Sequence, residues 1–158
     1  MPTIDETIRF IQWAHTGQVT KGNEPYWTHP VAVMKLLPED ATDDERHAAL
    51  LHDVLEDTGT TADDLSVAGY SDEVIAMVQS VTRPAGEERP SYMDWIRSIA
   101  SSGNKGAIRI KLADNQHNCD PIRVANLPPD QHDIVKRYER SVVSQFEIGS
   151  TFSGAACS

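Results

Sequence analysis

Cysteine is scarce in this chain. Cys119 and Cys157 stand far apart, in no paired spacing. This excludes a disulfide-stapled scaffold and a thiolate zinc cluster, and leads to the expectation of a reduced, cytoplasmic protein. Long apolar runs are missing too, and nothing approaches the ~20 residues of a membrane span. Met1 to Phe10 carries no apolar run preceded by positive charge, so no secretory signal is expected. Basic residues are the third shortage. Lys and Arg number 14 against 24 Asp and Glu, a formal charge of −10. That balance argues against bulk binding to nucleic acid or anionic membrane, both of which need a basic surface. It still permits hydrolysis of an anion, if a metal and a few placed cations reverse the local field. Strand-and-hairpin patterns, internal repeats and linkers are also absent.

What is present reads as helix after helix, in one domain of 158 residues with its own core. Thr3-Ile4-Asp5-Glu6 has the form of a capping box, and Ile4, Ile8 and Ile11 follow at helical spacing. A polar loop spans Val19 to Trp27. His29-Pro30 opens a second helix, with Pro30 expected at its first position. Thr42-Asp43-Asp44-Glu45 is another capping box, Thr61 and Ser71 start two further helices, and Ser91 caps the next. Residues 83–90 read as a mobile loop able to act as a lid. Ala107 to Asp114 reads as helix, Pro121 to Pro129 as loop. Asp130 opens a last helix with Ile134, Tyr138, Val142 and Phe146 on one stripe. The expectation is an all-α bundle of six to eight helices over 1–148, with a frayed tail at 149–158.

One stretch carries most of the chemistry: Ala48 to Thr58, read as a continuous helix. Ala48, Leu51 and Leu55 form an inward face. His52 and Asp53 sit side by side, and Glu56 and Asp57 follow one turn on. With His29 and Asp114 they suggest a metal centre of two imidazoles and two carboxylates. That donor set suits Mn²⁺, Fe²⁺ or Zn²⁺ better than Ca²⁺. Each residue alone has a plainer reading: His29 a helix-start residue, His52 a core histidine bonded to backbone, Asp114 a surface acid at a helix end. A carboxylate at a helix C-terminus opposes the dipole and calls for a reason such as a metal. Glu56 and Asp57 are then spare carboxylates that can take a proton from an activated water, or else solvated surface acids. Asn118, one turn after Asp114, can bond a sugar or phosphate. His117 can do the same or be a buried polar group. Lys21 is a phosphate contact or an exposed lysine.

Together these segments resemble the hydrolase domain of the RelA/SpoT family. The resemblance rests on Ala14-His15-Thr16-Gly17-Gln18, Lys21 through Glu24-Pro25-Tyr26, Thr28-His29-Pro30, Ala48 to Thr58, Lys111-Leu112-Ala113-Asp114 and His117-Asn118. In length the chain is similar to the stand-alone small alarmone hydrolases. The resemblance implies the HD phosphohydrolase fold, all-helical, with a single Mn²⁺ or another divalent metal. It implies His29, His52, Asp53 and Asp114 as metal ligands, and Glu56 and Asp57 as the acidic pair acting on the nucleophilic water. Lys21, Asn118 and Tyr138 would contact the nucleotide. The implied reaction removes the 3′-pyrophosphate of guanosine tetra- or pentaphosphate. Two alternatives stand beside it: a relative acting on an adenine alarmone, a nicotinamide dinucleotide 2′-phosphate or a nucleoside monophosphate, and a non-catalytic nucleotide sensor. The departures fall at the substrate end. Thr20 stands where the family often has Arg, Asn115-Gln116 where it usually has Arg-Leu, and Cys119-Asp120-Pro121 where it has an apolar residue, Arg and Thr.

Overall fold

A computed structural model describes residues 1–87, 89–127 and 136–141. The described residues are helical throughout, apart from turns and one isolated bridge between Val19 and Pro25. The N-terminal caps fall where the sequence puts them. Helix α1 (Ile4–Ala14) is closed by a reciprocal Thr3–Glu6 box. Helix α3 (Asp43–Leu51) has the Thr42–Glu45 box, and α5 (Ala62–Val67) pairs Thr61 with Asp64. Ser71 caps α6 (Asp72–Val81) and Ser91 caps α7 (Tyr92–Ser101), whereas α8 (Lys105–Asn118) starts before the expected Ala107, on an Asn104 cap not read from the sequence. Each such cap contributes roughly 1 kcal/mol by satisfying an amide that the helix itself leaves unpaired.

Three expectations need correction. Helix α2 (Thr28–Lys35) begins before His29, because tight turns already wind the chain at Pro25 and Tyr26: the Thr28 and His29 amides donate to their carbonyls at 3.1 and 2.9 Å. Pro30 thus stands in the first turn rather than at its first position, where a missing N–H still costs nothing. Second, the run from Ala48 to Thr58 is broken. Helix α3 stops at Leu51, and a separate turn, α4 (Val54–Asp57), starts after Asp53. The cause is chemical: the His52 ring bonds the Ala49 carbonyl at 2.8 Å, the oxygen that a continuing helix would give to the Asp53 amide. Third, the loop expected from Pro121 contains α9 (Pro121–Ala125), with Asp120 as its cap and Pro121 at its first position. The described residues therefore hold the nine helices α1–α9, rather than six to eight, besides a further helical stretch at 136–141. Residues 136–141 are helical, in keeping with a last helix, while its expected start at Asp130, its inner residues Ile134, Val142 and Phe146, and the tail lie outside the described residues.

Helix α3 is the axis of the fold. Ala48, Ala49, Leu50 and Leu51 are fully buried, and α1, α2, α6 and α8 pack around them. Leu65, Val74, Val78, Ile96 and Ile110 complete the core from the surrounding helices. Arg109 on α8 fastens the bundle by reaching Glu45 on α3 at 3.2 Å and Asp40 at 2.9 Å. Since α2 and α8 both lie against α3, residues on three elements meet at its C-terminal end.

Candidate metal centre and anion cleft

The end of α3 turns His52 inward. Its ring is 2% exposed, and the bond to the Ala49 carbonyl leaves Nε2 facing the centre of the site. Asp53 follows with Oδ2 at 2.9 Å from that Nε2. From α2, His29 presents Nε2 at 3.1 Å from Asp114 Oδ1 and 3.7 Å from Asp53 Oδ2. From α8, Asp114 brings Oδ1 to 3.8 Å from His52 Nε2. Asp114 lies one turn before the helix end and is buried, not a surface acid. Two nitrogens and two oxygens thus face a common point. Donor atoms of His29, His52 and Asp53 all lie within 4.8 Å of one another, as a metal site requires.

One atom tests the fit to a cation. His52 Nε2 is buried and makes no hydrogen bond, although Asp53 Oδ2 is only 2.9 Å away. A buried nitrogen left unpaired carries a penalty of ~1–3 kcal/mol unless something takes its lone pair. A divalent ion does so, and the surrounding acids provide the balancing charge.

Electrostatics fit the same reading. Burial opposes the charge on Asp53 and on Asp114, yet both carboxyls are held below the usual carboxylate range. For Asp53 the compensating charge comes first from His52; for Asp114 it comes first from Lys111. The Lys111 ammonium is 2.6 Å from Asp114 Oδ2 and 4.4 Å above the Trp95 ring. Burial works against its charge too, but Asp114 overcomes this and raises its pKa. In the metal-free protein, burial of His52 is outweighed by Asp53, which lifts the imidazole to about 9. The Tyr26 hydroxyl donates to Asp53 Oδ2 at 2.7 Å, and Asn118 donates to Asp114 Oδ1 at 2.8 Å.

Above this corner opens a cleft of about 450 Å³. Asp53, Glu56, Asp57 and Asp114 are among its lining residues. Lys21, Arg83, Arg89, Lys111, Arg123 and Arg137 supply cations, and Tyr26, Tyr92, Trp95 and Tyr138 supply ring faces and edges. In a chain of formal charge −10, six cations around one opening form a local field for an anion. Glu56 is held by the 83–90 segment: its carboxylate accepts from the Arg83 backbone amide at 3.2 Å and lies 3.4 Å from Arg89 Nη2. Burial and the neighbouring Asp53 charge raise the Asp57 carboxyl, which favours taking up a proton.

The structure therefore gathers nine of the residues singled out in the sequence: His29, His52, Asp53 and Asp114 at the corner, Glu56 and Asp57 beside it, Lys21, Asn118 and Tyr138 on the cleft wall. His52 is the one of the central four that does not face the cleft, because the helix break turns it into the core. Tyr26 and Lys111 were not assigned these supporting contacts, and His117, read as a sugar or phosphate contact or a buried polar group, is half-buried with Nδ1 2.7 Å from His29 Nδ1. Lys111 was findable from its three-residue spacing to Asp114 on a helix. Asn115 proves to be structural, fully buried between the Tyr92 hydroxyl and Ser141.

The signature of the HD domain family matches residues 7–139, and the chain belongs to that family. Among named proteins, it is 34% identical over 144 residues to the bifunctional (p)ppGpp synthase/hydrolase SpoT of Escherichia coli K12. It is 45% identical over 134 residues to the guanosine-3′,5′-bis(diphosphate) 3′-pyrophosphohydrolase of Vibrio cholerae. These alignments take in 83% and 78% of this chain but 19% and 18% of those proteins. The chain thus spans about a fifth of the length of the curated relatives it matches. A solved structure of similar size superposes with a TM-score of 0.74 at 26% identity, covering 92% of this chain and 86% of the other. It is described as a metazoan ortholog of SpoT that hydrolyzes ppGpp and plays a role in starvation responses.

Proposed function

We propose that the chain is a metal-dependent phosphohydrolase that removes pyrophosphate from the 3′ position of guanosine tetra- and pentaphosphate. The observation that carries this reading is the unpartnered His52 Nε2 at the corner it shares with Asp53, His29 and Asp114, beneath a cleft lined by both acids and cations. His29, His52, Asp53 and Asp114 would hold one divalent ion, and Mn²⁺ is the ion proposed. The chemistry such an ion supplies is Lewis acidity, which eases the ionisation of water and offsets phosphate charge.

The chain's own residues do the rest. Asp57, with its carboxyl raised by burial, takes the proton that the attacking water gives up. Glu56 aligns that water and is itself held by Arg83 and Arg89. The water oxygen bonds to the 3′ phosphorus, the bond from that phosphorus to the ribose oxygen breaks, and the freed 3′ oxygen takes a proton. Lys21 and the arginines of the cleft hold the phosphates, and Tyr138 packs against the nucleoside. Asn118 has one amide hydrogen on Asp114 and its side-chain oxygen accepting from Arg123 Nη2 at 3.4 Å, which leaves its second amide hydrogen for the sugar. Thr20, buried in the turn before Lys21, provides no flat cation at the base end.

The test is a panel of nucleotides incubated with Mn²⁺ and resolved by ion-exchange chromatography. The panel contains guanosine and adenosine 3′-pyrophosphates, a nicotinamide dinucleotide 2′-phosphate and nucleoside monophosphates. Pyrophosphate and a guanosine 5′-di- or triphosphate are the expected products. Turnover of another member alone would reassign the substrate, and tight binding without product would make the chain a sensor.

A further inference from the structure

His29 Nδ1 lies 2.7 Å from His117 Nδ1. The two rings are inclined by only 20° and their centroids are 5.0 Å apart. With the nitrogens so close and the centroids so far apart, the rings meet edge to edge, nearly in one plane. This is a head-on hydrogen bond, not face-to-face stacking. It holds one proton, so one ring donates and the other accepts.

The far side of His29 decides which. Its Nε2 faces Asp114 Oδ1 at 3.1 Å and Asp53 Oδ2 at 3.7 Å, and must present a lone pair to serve as a ligand. The His29 proton then belongs on Nδ1, and His117 must accept through its own Nδ1 with its proton on Nε2. We infer that His117 is a positioning residue that fixes His29 in its metal-binding tautomer.

Helix α8 thus delivers both a ligand, Asp114, and, one turn later, the acceptor that orients the ligand from α2. The contrast with His52 is informative. Its Nδ1 rests on the Ala49 carbonyl, which can only accept, so its tautomer is fixed by backbone. At His29 the acceptor is another imidazole with two tautomers of its own. In the opposite arrangement both rings change tautomer: His117 carries its proton on Nδ1 and donates it, and His29 carries its own on Nε2 and is blocked.

This inference rests on the metal site proposed above, but its test needs no nucleotide. A chain that binds metal through these residues and ignores every alarmone would sink the substrate reading and leave this one standing. Mn²⁺ binding is titrated by electron paramagnetic resonance in the parent, His117→Leu and His117→Asn proteins. The Asn side-chain oxygen takes the place of Nδ1 and accepts, whereas Leu cannot. The expected result is a loss of ~10–100-fold in Mn²⁺ affinity for His117→Leu and near-parental affinity for His117→Asn. Equal affinity in all three overturns the inference, as does an Asn variant as weak as Leu, which would reduce His117 to packing. A parent that binds no ion overturns it as well. Should His117→Leu fail to fold, nitrogen NMR of the Zn²⁺-loaded parent decides: a proton on His29 Nδ1 and a bare His117 Nδ1 are expected. A proton on His117 Nδ1 refutes the assignment.

Discussion

Removing both partners of the Lys111–Asp114 pair should cost no more than removing either one alone. The two groups are 2.6 Å apart, with side chains only 9% and 5% exposed. Neither charge has bulk water to fall back on. Removing one partner of a buried pair typically costs about 3–5 kcal/mol, because the other charge stays buried without compensation. Both sites have partial substitutes, which point to the lower end of that range. Lys111→Met leaves Asp114 facing His29 and His52. Asp114→Asn leaves the ammonium over the Trp95 ring, a contact worth up to about 2 kcal/mol when desolvated. Each single variant should therefore lose about 3 kcal/mol. The double variant removes both charges and should lose about 3 kcal/mol in all, giving a coupling energy of about 3 kcal/mol. The assay is urea unfolding in the presence of chelator, followed by far-UV circular dichroism, so that lost metal binding does not enter. Losses that add to within ~0.5 kcal/mol would show that the pair is not coupled and that Asp114 is held by something else.

Tyr26→Phe keeps the ring against His15 and His29 but removes the donor to Asp53 Oδ2. A lost hydrogen bond to a charged group predicts a fall of about 1.5–3 kcal/mol in chelator, and an unchanged unfolding midpoint would refute it. Glu56→Gln and Asp57→Asn should each retain Mn²⁺ and lose turnover; retention of full activity with both carboxyls replaced would end the proposed proton path. Burial holds the His47 imidazole, bonded to the Thr7 hydroxyl, below its ordinary 6.5. The folded state therefore prefers the neutral ring, and that stability is complete above ~6.5 and drains as the pH falls through the folded-state value. Urea midpoints measured from about pH 7.5 to about pH 5 should drop more steeply in the parent than in His47→Asn; parallel curves would contradict this.

The capped helix starts at Thr3, Thr42, Thr61, Ser71 and Ser91 were legible because each is written in local chemistry. Thr3, Thr42 and Thr61 with an acid three residues on need no tertiary information to become caps. The corner of His29, His52, Asp53 and Asp114 was legible because its donor types are unusual together, although their convergence depends on α2 and α8 both packing on α3. The break at His52-Asp53 was hidden, since Leu51, Val54 and Leu55 keep an apolar rhythm across it. What interrupts the helix is a side chain taking a backbone acceptor, and periodicity does not register that. Helix α9 was missed because five residues carry too little pattern, even with Asp120 and Pro121 in cap and first position. The partnership of His29 with His117 joins residues 88 positions apart, and nothing local announces it.

Anomalous diffraction from crystals grown with Mn²⁺ tests the central claim most directly. One peak per chain is predicted, within bonding distance of His29 Nε2, His52 Nε2, Asp53 and Asp114. Density for Mn²⁺ elsewhere, or an enzyme that turns over while this corner stays bare of metal, would contradict the account.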